Sequence, residues 1–234
     1  MNSTILFIHG AGGNHKIWEN QTKYFSNSIA IDLPGHYRGN GRKTIEDYVK
    51  YVKKFCGKRK LKNIIMVGHS MGGAITQKFA LTYPEYLKAV VLVATGAKLR
   101  VAPKIFEEIK RNYDNFMKLM KKYAFSEKTP DEVKNNAVKI MKRIRPEVLY
   151  GDFEACDKFD VTGNLNRINL PTLIICGNDD LLTPVKYSEY LKQNIQNSVL
   201  KVVDGAGHMV MLEKPEEFNR ILEGFIKSLG NDVF

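Results

Sequence analysis

Cysteine is the first scarcity in this sequence: three residues in 234, at Cys56, Cys156 and Cys176. They lie far apart, with no CxxC pair and no histidine at metal-ligand spacing, so neither a disulfide framework nor a metal centre is expected. They read as reduced thiols, which places the chain in the cytoplasm. Long apolar runs are also missing. Ile5-Leu6-Phe7-Ile8 stops at His9-Gly10, and no stretch approaches the ~18 residues that span a bilayer. The start, Met1-Asn2-Ser3-Thr4, lacks the basic region of an export signal. Acidic residues are outnumbered, with 25 Asp+Glu against 36 Lys+Arg and a formal charge of +11. The excess favours anionic partners without identifying one. Nine basic and two acidic residues fall between Arg42 and Lys62. With no reader motif and no interleaved aromatics, that run reads as a solvated face, and nucleic acid is not expected as a partner.

What is present suits a globular chain: 44% hydrophobic and 26% charged residues, and enough length to bury roughly 72% of its surface. Short β-branched runs alternate with amphipathic segments, the pattern of a parallel sheet wrapped by helices. The expected strands are Thr4 to Ile8, Ser28 to Asp32, Asn63 to Gly68, Ala89 to Ala94, Thr172 to Cys176 and Val199 to Val203, each apolar on both faces. Helices are expected around Ile45 to Phe55, from Met71 to Tyr83, and from Pro215 to Leu229. Between Thr95 and Leu170 the strands stop. Ile105, Ile109, Tyr113, Phe116, Met117 and Met120 form one apolar stripe, a second helix is expected from Pro130 to Ile144, and a third from Pro146. The organisation predicted is an α/β core, 1–95 and 170–234, interrupted by a helical cap, 96–169.

The third strand runs into Gly68-His69-Ser70-Met71-Gly72-Gly73 and then a helix, the strand-turn-helix setting that gives G-x-S-x-G its meaning. The turn forces Ser70 into a strained conformation above the sheet, and the small neighbours let backbone approach closely. A serine hydroxyl needs an adjacent base, and the base an orienting acid. Two later strand ends supply candidates: Asp179 and Asp180 after the fifth, and His208 in Asp204-Gly205-Ala206-Gly207-His208 after the sixth. Parallel sheets build their sites at such carboxyl ends.

The order Ser70, acid, His208, together with His9-Gly10-Ala11-Gly12 and Asp32-Leu33-Pro34-Gly35-His36, resembles the α/β-hydrolase fold superfamily of serine carboxylesterase and lipase type, over essentially the whole chain. The resemblance implies a three-layer sandwich. Only three residues precede the first strand, so the sheet is abbreviated to about six mainly parallel strands. It also implies that Asp180 is the acid and Asp179 a turn-capping neighbour, that Ala11 and Met71 N–H groups form the oxyanion hole, and that His9 holds the loop without acting as a base. His69 is expected to point away from the nucleophile. The Tyr113 to Met120 stripe is either buried cap core or the acyl-binding wall; as wall, Tyr113, Met117, Met120, with Trp18 beside the oxyanion loop, would bind substrate.

The activity implied is hydrolysis of carboxylic esters with small to medium, mainly apolar acyl groups, through an acyl-enzyme and with no metal or organic cofactor. Three alternatives stay open: methyl esters of carrier-protein-bound acyl chains, monoacylglycerols, and a ligand sensor built on a hydrolase scaffold. An acidic carrier protein would be a partner for the basic run at Lys58-Arg59-Lys60.

Overall fold

The computed structural model describes residues 3–230. The six β-branched runs form six strands, β1 (Ile5–Ile8), β2 (Ser28–Ile31), β3 (Ile64–His69), β4 (Leu87–Val93), β5 (Thr172–Gly177) and β6 (Ser198–Val203). They pair in the order β2-β1-β3-β4-β5-β6, every pair parallel. The abbreviated six-stranded sheet read from the sequence is the sheet found.

Parallel neighbours need long crossovers, which helices supply. In chain order these are α1 (Glu19–Tyr24), α2 (Ile45–Lys58), α3 (Met71–Thr82), α4 (Pro103–Arg111), α5 (Tyr113–Tyr123), α6 (Asp131–Met141), α7 (Pro146–Lys158), α8 (Val185–Asn194), α9 (Val210–Glu213) and α10 (Pro215–Ser228). Among the described residues no helix is long and apolar enough to cross a membrane.

Alternation along each strand divides the core between the two sheet faces. Leu6, Ile8, Met66, Val90 and Leu92 pack on one side with α2 and α3. Phe7, Ile65, Val67, Val91 and Val93 pack on the other with Trp18, Phe218 and Leu222. The expectation of two apolar faces fails at β6. Val199 and Val202 there are 48% and 44% exposed, because β6 is an edge strand.

Between β4 and β5 lie α4 to α7, where Ile109, Phe116, Met117, Met120, Val148 and Leu149 make a small core of their own. The stripe from Ile105 to Met120 spans two helices rather than one. Asn112 breaks it at φ −149° and ψ 66°, and its side-chain oxygen accepts the Asn115 N–H at 3.2 Å, capping α5. Four loops leave the carboxyl ends of β1, β3, β5 and β6 on the same edge of the sheet. They carry residues 9–13, Ser70, residues 178–184 and residues 204–208.

Candidate active site

The serine turn works only because two of its neighbours lack side chains. A Cβ on Gly68 would stand 2.1 Å from the Gly72 carbonyl oxygen, and one on Gly72 would stand 2.3 Å from the Ile8 carbonyl oxygen. Backbone therefore crosses backbone where any other residue would collide. Ser70 takes φ 52° and ψ −115°, a left-handed conformation that costs a non-glycine residue on the order of 1–3 kcal/mol. The strain is held on both sides. Ser70 N–H donates to Val93 O at 2.9 Å, and Ser70 O accepts from the Gly73 N–H at 2.8 Å and the Thr95 hydroxyl at 2.9 Å.

At the neighbouring strand ends, Asp180 and His208 meet. His208 Nδ1 lies 2.9 Å from Asp180 Oδ2, and both side chains are buried. Asp180 Oδ1 accepts the N–H groups of Leu182 at 2.8 Å and Thr183 at 2.9 Å. The Thr183 hydroxyl donates to Asp180 Oδ2 at 2.8 Å and stands 3.2 Å from His208 Nδ1. Burial alone would raise the Asp180 carboxyl. Its interaction with His208 and these hydrogen bonds outweigh it and hold the group below its usual range. With its Nδ1 proton directed at a carboxylate, His208 keeps Nε2 free to take a proton.

Asp179 faces elsewhere and accepts the Ser126 hydroxyl at 2.6 Å. His69 is buried, and its Nε2–H donates to the His208 carbonyl at 3.0 Å. The two rings lie 4.7 Å apart. Burial first, then repulsion from His208, pushes the His69 pKa down to about 3, so it stays neutral. No hydrogen bond joins Ser70 Oγ to His208 among the described residues; such bonds commonly tighten only around substrate.

The loop after β1 lies directly over the serine, with a Cβ on Gly10 3.1 Å from Ser70 Cβ. His9 Nδ1–H donates to the Gly10 carbonyl at 2.8 Å while Nε2 accepts the Leu33 N–H at 3.0 Å. Both ring nitrogens are thereby used in holding the loop, and burial keeps the ring neutral. Among the described residues the N–H groups of Ala11 and Met71 have no acceptor. They are the two that the sequence assigns to an oxyanion.

Beside this loop opens a narrow apolar pocket, walled by Ala11, Met120, Phe125, Val138, Met141 and Met209 among others. Of the four residues expected to bind substrate, Met120 lines it and three do not. Trp18 is wholly buried, stacked on Phe7 at 4.8 Å. Met117 is buried in the small core between α4 and α7. The Tyr113 hydroxyl donates to the Ile144 carbonyl at 2.7 Å. Tyr113 and Met117 share a cause: a helical stripe has width, and only its edge nearest the sheet reaches the loop over Ser70, whereas Trp18, in the turn after β1, is turned into the core beneath the sheet.

Sequence reasoning missed Thr183, Glu213 and Asp152. Glu213 Oε1 accepts the Gly207 and Met209 N–H groups, each at 3.0 Å, on either side of His208. Its Oε2 accepts the Ser126 N–H at 2.9 Å and the Thr129 hydroxyl. Asp152 is fully buried within α7 and accepts the Gly12 N–H at 3.0 Å. The available signal for Asp152 was a carboxylate on the helix face that also carries Leu149, Ala155 and Cys156.

The profile of the alpha/beta hydrolase fold matches residues 3–215, and the chain belongs to that family. It is similar to the putative esterase/lipase 2 of Mycoplasma pneumoniae, with 29% identity over 96% of this chain and 89% of the relative. It is also similar to the pimeloyl-[acyl-carrier protein] methyl ester esterase of Wigglesworthia glossinidia brevipalpis, with 28% identity over 97% and 94% of the two chains. Among solved structures, that of a thermophilic esterase superposes with a TM-score of 0.87 at 38% identity, covering 97% of this chain and 90% of the other.

Proposed function

We propose that this α/β-hydrolase-family chain is a serine carboxylic-ester hydrolase acting on small to medium, mainly apolar acyl groups. The observation that carries the reading is the Asp180–His208 contact, standing at the strand ends beside a strained Ser70. Ser70 Oγ attacks the ester carbonyl as His208 Nε2 takes its proton, and the imidazolium that forms is stabilised by Asp180. The carbonyl oxygen, now anionic, is met by the Ala11 and Met71 N–H groups, each donor lowering the barrier by roughly 3–4 kcal/mol. His208 returns its proton to the departing alcohol, leaving an acyl-enzyme that water opens by the same steps in reverse. The cavity beside Ala11 takes the acyl chain, with Met120, Phe125 and Met141 as its apolar wall. Helices α5 and α6, which supply much of that wall, act as the cap over the site. The three cysteines, all buried and unbridged, support a cytoplasmic location.

A rate series over p-nitrophenyl esters of increasing chain length, run beside a monoacylglycerol and a methyl ester, sizes the pocket. A sharp optimum at a short or medium chain is expected. Ser70→Ala should lower kcat on the order of 10⁴ to 10⁶ with the fold intact. An organophosphorus probe that does not label Ser70 would overturn the mechanism.

A carrier-bound acyl methyl ester is the second reading, supported by a groove beside residues 178–181 in which five lysines, Lys118, Lys121, Lys122, Lys128 and Lys134, outnumber the carboxylates Glu127, Asp131 and Asp179. This reading puts the partner at that groove rather than at Lys58-Arg59-Lys60, which closes α2 and precedes β3, at the end of the sheet opposite Ser70.

A further inference from the structure

Asp152 is cut off from the surface: its side chain is wholly buried, in the second turn of α7. A carboxylate in that position costs several kcal/mol unless paired and fully hydrogen-bonded. Three segments from different parts of the chain converge to meet it. Oδ2 accepts the Gly12 N–H from the loop after β1 at 3.0 Å and His36 Nε2–H from the turn after β2 at 2.7 Å. Oδ1 accepts the Tyr48 hydroxyl from α2.

The setting of the His36 ring favours its cationic form. Its other nitrogen, Nδ1, faces the Pro34 carbonyl at 3.2 Å. A carbonyl only accepts, as does an ionised carboxylate, so hydrogen on both ring nitrogens suits both partners. Burial works against that charge, and the Asp152 carboxylate prevails, keeping His36 protonated above its ordinary value. The other titratable neighbours are His9, whose ring lies 4.5 Å away and is neutral, and, around Asp152, Tyr48 and Cys156, both held in their uncharged forms by burial.

A buried ion pair is weak evidence for stability, since apolar residues of similar volume commonly serve as well. What apolar residues cannot do is hold an N–H. Gly12 has φ 67°, and a Cβ there would come within 2.8 Å of Leu149 Cδ1; its loop is therefore laid against α7 with its N–H turned into the helix. Ala11, the residue before it, is the one whose N–H is left without an acceptor among the described residues. The peptide bond that carries the Gly12 N–H is the one whose carbonyl belongs to Ala11. The preceding plane, which carries the Ala11 N–H, is held at the Gly10 carbonyl by His9 Nδ1–H and the Gly13 N–H; fixing the following plane on Asp152 limits rotation of Ala11 about ψ and so pins the other side of the same residue.

We propose that Asp152 is a positioning residue for the oxyanion hole: from α7, outside the core strands, it anchors the loop at Gly12 so that the Ala11 N–H stays aimed at the reacting carbonyl. The proposal rests on the reading of Ser70 and Ala11 given above. His36 Nε2–H and the Tyr48 hydroxyl hold the anchoring carboxylate in place.

The test compares Asp152→Asn and Tyr48→Phe with the unaltered enzyme, measuring kcat, KM, melting temperature and affinity for an alkyl boronic acid, which forms a tetrahedral adduct on the serine. Tyr48→Phe removes one hydrogen bond to the same carboxylate without touching Gly12. Asp152→Asn is expected to lower kcat about 100-fold with KM within threefold, the size of effect seen when one oxyanion donor is lost. Boronate affinity should fall by a similar factor. Tyr48→Phe should lower the melting temperature yet leave kcat within threefold. Equal kcat in Asp152→Asn and the unaltered enzyme, or a loss in Tyr48→Phe as large as in Asp152→Asn, would overturn the proposal. Should Asp152→Asn not fold, the triple variant His36→Leu, Tyr48→Phe, Asp152→Leu replaces the whole polar cluster by apolar groups; retained kcat in it overturns the proposal equally. Failure of the underlying reading shows separately, as an unaltered enzyme that an organophosphorus probe does not label at Ser70.

Discussion

Asp179 and Asp180 are one position apart and face different partners, which makes them the sharpest residue-scale test. Only Asp180 touches His208; Asp179 holds Ser126. Asp180→Asn should therefore cut kcat on the order of 10⁴, because an amide can present N–H where the ring needs an acceptor and so favours the wrong tautomer. Asp179→Asn should stay within about tenfold, by contrast with that loss, and steady-state kinetics on a p-nitrophenyl ester separates the two. The same contact has a pH signature. The folded-state pKa of Asp180 is depressed from its ordinary 3.8, so its contribution to stability is fully present above that value and is lost as pH falls through the depressed one. Below pH 4 the melting temperature of the native protein should drop more steeply than that of Asp180→Asn, measured by scanning calorimetry. Parallel curves would contradict the pairing. The serine turn was legible in the sequence because its requirements are local: two small residues and a strand-to-helix switch within six positions. The choice of acid was not local, and rested on family spacing.

At the scale of elements, the short helix α9 matters more than its four residues suggest. Its last residue, Glu213, receives hydrogen bonds from the N–H groups flanking His208 and from the segment after α5. The same segment joins the histidine loop through Met209 N–H to Ala124 O at 3.2 Å. Ala124 and Phe125 of that segment line the cavity, so the cavity wall and the His208 loop are tied to one carboxylate. Glu213→Gln turns one accepting oxygen into a donor facing other donors. Leaving buried amides unpaired costs about 1–3 kcal/mol, which for a chain of this size means a melting temperature lower by roughly 2–12 °C. Activity should fall by roughly tenfold or more, as it does when a base is displaced from hydrogen-bond reach. Unchanged melting and unchanged kcat together would refute the role. Helix positions were readable from apolar spacing, and Asn112 shows the limit of that method. The stripe continues through it while the backbone does not, because an asparagine side chain caps a new helix as readily as it continues an old one.

Over the whole molecule, charge is abundant and its placement decides what it can do. The groove at Lys118, Lys122 and Lys128 lies beside the acid loop, whereas Lys58, Arg59 and Lys60 stand across the sheet. Changing the first three to glutamate should lower kcat/KM for a carrier-bound methyl ester at least tenfold, with small-ester rates within twofold, since reversed charge acts on encounter. Changing the second three should alter neither rate. Equal losses on both substrates in the groove variant would end the carrier reading.

The sequence by itself determined the strand set, the elbow around Ser70 and the order of the chemical groups, since each depends on neighbours a few residues away. Folding alone decided which carboxylates come to rest on which N–H groups. Asp152 reaches Gly12 across 140 residues, and Glu213 reaches Ser126 across 87. Hydrogen bonds act over about 3 Å, and a linear pattern carries no record of which distant donors will be brought inside that radius.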